Sequence, residues 1–380
     1  MKLLHISDLH IGKRVCEMSM IEDQKYILRQ ILSAASDEQA DGILLAGDIY
    51  DKPVPPAEAV QVFDRFLTEL AGRNIPVLAV SGNHDSPERL SFGARLMSSR
   101  GVYLSPVYDG KASRVSLYDE WGEVRIHLLP FLKPAYVRHA TEEEVSDYQE
   151  AVAVAVNRMD VDTSCRNILV AHQFVTGALR CESEEVTVGG LDQVDASLFD
   201  DFDYVALGHL HSPQSVGRKQ VRYSGSPLKY SFSEAGQTKS ITVAELGPKG
   251  EVSLREIPLI PLKEMRRLRG SYLEVMARSF YEDFDREDYI HMTLTDEEDI
   301  PDAVARLRVI YPNLMQLQYD NKRTRYQAVV EGEAARERRS EQELFEAFYE
   351  LQNNQAMSEK QREYMIRLIR ELKEGGGDDR

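Results

Sequence analysis

An α/β architecture is what this sequence predicts. Strand-length apolar runs alternate with stretches of helical periodicity over residues 2–85, the pattern of sheets packed against helices. Five apolar runs stop at Asp, Asn or His: HISDLH (5–10), LLAGDIYD (44–51), VSGNHD (80–85), LVAHQ (169–173) and ALGHLH (206–211). Ligands of open α/β sheets bind outside the carboxyl ends of strands, so polar strand ends of this kind mark a site as well as a fold.

Taken in order, KLLHIS (2–7) reads as the first strand. Residues 20–40 are helical, with Ile21, Ile27, Leu28, Ile31 and Leu32 on one side. DGILLAGD (41–48) is a buried strand stopped by Gly-Asp. Residues 55–73 form a helix opened by proline, with Val62, Phe63, Phe66, Leu67 and Leu70 as its stripe and Gly72 near its end. IPVLAVSGNHD (75–85) is a third buried strand. From about residue 101 shorter strands and turns follow, until RNILVAHQ (166–173) and FDYVALGHLH (202–211) restore the pattern of an apolar strand with a polar end. Residues 220–262 read as further strands. A new unit starts near Ser271, with strand 288–296, helix 300–312 and strand 314–321. Residues 336–373 are charged and helical, and the tail EGGGDDR is acidic and glycine-rich.

Composition is that of a globular protein, 42% hydrophobic and 29% charged. The opening MKLLHISDLH is too short and too polar for a signal peptide, and no window approaches 18 apolar residues, so a cytoplasmic protein is expected. Cys16, Cys165 and Cys181 are too far apart for a CxxC zinc site and odd in number, which points to reduced thiols. The net charge of −17 argues against long-range attraction to nucleic acid. A phosphate polymer could be handled only if bound cations or a basic partner reversed the field locally.

The strand ends supply Asp8, His10, Asp48, Asp51, Asn83, His84, Asp85, His172, His209 and His211. Asp8 and His10 are spaced i, i+2, as are His209 and His211, so an extended backbone would aim each pair to one side. Glycines at 47, 82 and 208 permit tight turns and close backbone approach. Carboxylate, imidazole and amide together suit divalent first-row metals. Even seven of these ten exceed the needs of one ion and suit two, which ~3.5–4 Å apart clamp the oxygens of an in-line phosphoryl displacement. One carboxylate must then bridge. No thiolate joins the set, which argues against a structural zinc site. Any single strand-end Asp is most simply a turn or cap residue; it is the joint occurrence that carries the metal reading. His5 reads as a packed core histidine, His127 as structural, and His139 and His291 as surface residues.

The residues DLH…GD…GNHD…H…GHLH resemble the calcineurin-like metallophosphoesterase superfamily. LHISDLHIGK, AGDIYDKPVPPAEAV, VSGNHDSPERL, LPFLKPAYVR, FDYVALGHLHSPQ and YSGSPLKYSFSE resemble in particular its nuclease branch. The resemblance spans the whole chain and is strongest before residue 262. It implies a sandwich of two sheets flanked by helices, a small α+β cap domain and C-terminal helices. The domains would be 1–265 (nuclease), 266–335 (a DNA-binding cap) and 336–380 (a partner-binding region and tail). Two manganese ions are implied: one on Asp8, His10, Asp48 and His211, the other on Asp48, Asn83, His172 and His209. The resemblance makes His84 catalytic, stabilising or protonating the leaving oxygen. Some relatives carry histidine at the place of Asp51, so no role is assigned to it. Also implied are 3′–5′ exonuclease action on duplex ends and endonuclease action on single strands or hairpins. These activities would serve double-strand break processing, replication and recombination. The implied partner is an SbcC-type SMC-like ATPase, in a heterotetramer around a homodimer of this chain. ELFEAFYEL (343–351) and EYMIRLIREL (363–372) each gather apolar residues on one face. They would either dock on that partner or pack back on the chain.

Two other readings compete. A phosphatase or cyclic-nucleotide phosphodiesterase could use the same metals, but protein phosphatases of the superfamily read GDxxDRG and GNHE, whereas here Lys52-Pro53 follows Asp51 and Asp85 ends GNHD. A non-catalytic scaffold would be expected to have lost donors, and every donor position is filled.

Overall fold

The computed structural model describes residues 1–179, 181, 184, 193–322, 324, 345–346, 349 and 357–375. The chain divides into two units, Met1–Arg266 and Arg267–Arg380.

In the first unit, β1 (Lys2–Ile6), β2 (Gly42–Ala46), β3 (Val77–Val80) and β4 (Val102–Leu104) run parallel in one sheet. Almost every residue of the first three is buried. A strand covered on both faces is apolar throughout, which is why these segments read as unbroken runs and not as alternation. The second sheet is built from β5 (Ser113–Asp119), β6 (Gly122–Leu129), β7 (Arg166–His172), β8 (Tyr204–Gly208), β9 (Gln214–Val216) and β10 (Arg218–Tyr223). Its order is β9-β10-β8-β7-β6-β5. The chain then returns to the first sheet as β11 (Ser240–Leu246) and β12 (Val252–Pro258), giving β12-β11-β1-β2-β3-β4.

A core of Leu3, Leu44, Leu78 and Val80 from one sheet and Ile126, Leu128, Ile168, Val170 and Ala206 from the other fills the space between them. Each Leu, Ile or Val among them contributes about 1.5–3 kcal/mol relative to exposure. α1 (Ile21–Asp37) and α2 (Ala57–Gly72) bury the stripes read from the sequence, Ile27, Leu28, Ile31 and Leu32 on one and Phe63, Phe66, Leu67 and Leu70 on the other. α3 (Pro134–Thr141) and α4 (Tyr148–Asn157) were not expected. Val137, Ala151, Val152 and Ala155 from these helices pack with Leu169, Ala171, Val205 and Leu207 in a second core. The parallel strands of both sheets therefore lie in a two-sheet sandwich with helices outside, the architecture expected.

The second unit has a sheet ordered β13 (Met265–Gly270), β14 (Tyr289–Leu294), β15 (Leu314–Tyr319). Val275, Ile290, Met292, Leu307 and Tyr311 form its core. β13 precedes the break read at Ser271. The helix expected over 300–312 is regular only at Ala303–Leu307, and turns carry the chain on to Pro312. α5 (Glu359–Gly375) covers EYMIRLIREL, with Met365 buried and Leu368 exposed. ELFEAFYEL lies mostly outside the described residues. Among the described residues, no helix is long and apolar enough to cross a membrane.

Candidate dimetal centre

The carboxyl ends of β1, β2 and β3 meet those of β7 and β8 at one edge of the sandwich, all within the first unit. Register does the alignment: Ile6 pairs with Leu45, Ala46 with Val80, and Gly208 with His172. Beyond the strand ends the backbone turns sharply. Asp8, His10, Asp48 and His209 all have positive φ, at 53°, 43°, 48° and 102°. Asp8 and His10 thus sit in left-handed turns after β1 and not on extended backbone, which corrects the i, i+2 expectation; His209 likewise follows the end of β8. Hydrogen bonds lock these turns together: Asp8 N donates to Gly47 O at 3.1 Å and His10 N to Asp48 O at 2.9 Å. The approach is so close that a Cβ on Gly82 would lie 2.1 Å from Asp48 Oδ1.

All seven candidate donors converge. His10 Nε2 lies 3.2 Å from His211 Nε2. Asp48 Oδ2 stands between His10 Nε2 at 3.7 Å and His172 Nε2 at 3.4 Å. Asn83 Oδ1 is 3.0 Å from both His172 Nε2 and His209 Nδ1. Asp8 groups with His10 and His211, and also with Asp48 and His172, each set within the span of one cation's shell. His84 also lies close enough to His10 and Asp48 to share a cation's span with them. Its backbone N–H donates to Asp48 Oδ1 at 2.9 Å, its Nδ1 donates to the Asp51 carbonyl at 3.1 Å, and its Nε2 is 3.9 Å from Asp48 Oδ2.

Burial sets the electrostatics. It pushes the Asp8 carboxyl up against the opposing pull of His172 and His211, and holds His10 well below the usual imidazole range. Burial also disfavours charge on Asp48 and His172, but each stabilises the other: Asp48 is held well below the carboxylate range and His172 raised to about 9. Carboxylates and imidazoles packed this tightly compete for few protons, and only one proton can sit between His10 Nε2 and His211 Nε2. Divalent cations satisfy several such lone pairs at once, so the donor chemistry fits divalent metal.

Other residues take supporting places. Both Asp85 oxygens accept backbone N–H groups, from Ile49, Tyr50 and Gly82, pinning the turns that carry Asp48 and Asn83. The Asp51 carboxylate pairs with Lys13 Nζ at 2.8 Å and lies 3.8 Å from His10 Nδ1. His5 is buried in β1, His127 is buried in β6 beside Asn167, and His139 is exposed. His291 is buried in β14, not on the surface as read. Sequence reading also missed Gln24 and Tyr230, which bind the backbone of Leu9 and His10, and the buried pair Glu234 and Lys239. None of these ends a strand, so the pattern that found the donors could not find them.

The family model for the calcineurin-like phosphoesterase matches residues 1–213, and one described as the type 5 capsule protein repressor C-terminal domain matches residues 261–353. The SbcD subunit of the nuclease SbcCD of Staphylococcus epidermidis is 30% identical over 377 residues, 97% of this chain and 98% of that protein. The chain belongs to the SbcD family of calcineurin-like phosphoesterases. Family membership makes it a metal-dependent phosphoesterase, and the donor cluster around Asp48 falls inside the phosphoesterase match. Among solved structures, TT1561 of Thermus thermophilus is similar at TM-score 0.38 and 15% identity, over 67% of this chain and 98% of that one. A dimetal phosphatase from Danio rerio is similar at TM-score 0.39 and 12% identity, over 67% and 95%.

Proposed function

We propose that this SbcD-family chain is a manganese-dependent DNA nuclease. It acts as a 3′–5′ exonuclease on duplex ends and an endonuclease on single strands and hairpins, in break processing, replication and recombination. It works in the cytoplasm with an SbcC-type ATPase, as a homodimer within a heterotetramer. Residues 1–265 carry the chemistry, 266–335 help position DNA and 336–380 bind the ATPase. The observation that carries the proposal is the convergence of Asp8, His10, Asp48, Asn83, His172, His209 and His211 at one edge of the sandwich, in a chain whose relative over nearly its full length is a nuclease subunit.

Asp8, His10, Asp48 and His211 would hold one ion, and Asp48, Asn83, His172 and His209 the other. Such ions supply Lewis acidity, lowering the pKa of water and neutralising charge that develops on the phosphate. They also reverse, at one spot, the field of a chain with net charge −17. The protein's own contribution to proton transfer falls to His84. Its Nδ1–H is engaged by the Asp51 carbonyl, so the ring is fixed and Nε2 is the atom turned to the site. From there it can hold a proton toward the leaving oxygen, worth about 10²–10⁴-fold.

The test is single-turnover cleavage of a labelled hairpin DNA at saturating manganese, with a phosphopeptide assayed in parallel. The parent should cleave the hairpin, and His84→Gln should lose ~10²–10⁴-fold in rate while keeping its metal content. Turnover of the phosphopeptide alone would favour a phosphatase. A metal-loaded His84→Gln with parental rate would remove His84 from the chemistry.

A further inference from the structure

We propose that Glu234, held by Lys239, is a positioning residue that orients His211 for the ion shared with Asp8 and His10; the inference rests on the metal-centre reading above. Glu234 is completely buried and Lys239 nearly so. A buried ion pair is a weak source of stability, because the cost of desolvating both charges rivals their attraction. Besides Tyr230 N and Gln237 Oε1, this pair meets one residue at two points. Glu234 Oε1 lies 3.5 Å from His211 Nδ1. Its Oε2 accepts from Lys239 Nζ at 2.6 Å, and the same ammonium donates to the His211 carbonyl at 2.8 Å and to Ser226 Oγ at 3.0 Å. On the other side of the residue, His211 N donates to Glu184 Oε1 at 2.6 Å. His211 is thus gripped through its backbone N–H, its carbonyl and the far nitrogen of its ring.

The consequence lies at the ring's near nitrogen. An imidazole whose Nδ1–H faces a carboxylate presents the Nε2 lone pair, and His211 Nε2 is the atom facing His10 Nε2 at 3.2 Å. A carboxylate behind a metal-binding histidine fixes its tautomer and raises its basicity. The other ring environments differ. His172 Nδ1 meets the Ala46 carbonyl at 2.9 Å, a neutral acceptor. His10 Nδ1 makes no hydrogen bond among the described residues; the nearest carboxylate, Asp51, is 3.8 Å away, less buried than Glu234, and paired with Lys13. A fully buried carboxylate therefore backs one side of the centre, and Glu234 acts on one ion and not on both.

The experiment is manganese titration of the full-length protein by calorimetry, with elemental analysis for stoichiometry and metal-free thermal unfolding as a control. Glu234→Gln leaves Lys239 unpaired, so Glu234→Gln/Lys239→Met is made beside it as a neutral pair. In a folded double variant, one manganese should bind ~10–100-fold more weakly, the usual effect of losing such a partner, while the other keeps its affinity. Glu234→Asp should restore part of the loss. Parental affinity for both ions in the double variant would overturn the proposal. So would equal weakening of both ions together with a lowered melting temperature, which would mark the pair as structural only. A parent chain that takes up no manganese would overturn the metal-centre reading itself, and this inference with it.

Discussion

Asp8, His10, Asp48 and His209 adopt positive φ, a region that Asp, Asn and His enter more readily than other non-glycine residues. Backbone held in this way costs of order 1–3 kcal/mol per residue and persists where surrounding contacts enforce it. Here the enforcement is mutual, since the Asp8 carboxylate accepts His209 N at 3.0 Å and Asp48 accepts His84 N at 2.9 Å. Asp48 is the residue with most to lose. It lies near His10, His84 and His172, and in the proposed arrangement it is the one residue common to both ions. Asp48→Ala should abolish pairing of the ions and lower cleavage by more than the ~10–100-fold of an outer-shell change. Elemental analysis that still finds two ions per chain would contradict this. The donor types and their order were legible in the sequence, because each follows an apolar run. Their geometry was not: the i, i+2 spacing suggested extended strands, whereas left-handed turns do the aiming. Such turns are set by contacts from other strand ends, which no local spacing encodes.

Strands β1 and β8 meet across the interior through one histidine. His5 lies 2.8 Å from the Tyr204 hydroxyl through Nδ1 and 3.1 Å from the Leu207 carbonyl through Nε2. A carbonyl only accepts, so Nε2 carries the proton and Nδ1 accepts from Tyr204. Burial, with Arg222 adding to it, holds this imidazole down at about 3 from an ordinary 6.5. The unfolded chain therefore binds a proton that the folded chain refuses between those values. Stability contributed by neutral His5 is complete above about pH 6.5 and is lost as pH falls toward 3, by about 1.4 kcal/mol per pH unit. His5→Gln cannot take up that proton. Urea unfolding of parent and variant should show the parent losing stability relative to the variant at that rate between pH 6 and about 4. A pH-independent difference would refute the linkage. Elements of this unit were legible to different degrees. Doubly covered strands announce themselves by unbroken apolarity. α4 was missed although Asp147 caps it, accepting from Glu150 N at 2.8 Å. Its EAVAVAVN segment alternates valine with alanine, a strand-like period that packing against β7 and β8 overrides.

At the scale of the whole molecule, the proposed function puts chemistry and assembly on different stretches of chain. All seven donors lie before residue 212, inside the unit Met1–Arg266. That unit closes its own sheets, with β11 and β12 returning to pair beside β1, so no strand of the sandwich depends on residues after 266. The second unit has its own apolar core around Tyr311. The helix α5 leaves Tyr364 and Leu368 exposed while Met365 is buried, so part of its apolar face is open to the proposed partner. Removing residues from Arg336 onward should therefore leave manganese content near the parental value and hairpin cleavage in place, while co-purification with an SbcC-type ATPase is lost. Affinity pull-down of tagged parent and truncated chains from the same co-expression, with metal measured on each, reads both outcomes together. Undiminished recovery of the ATPase would place its docking site before residue 336. Loss of metal along with the ATPase would mean that the C-terminal segment supports the fold of the catalytic unit and is not an appended docking element.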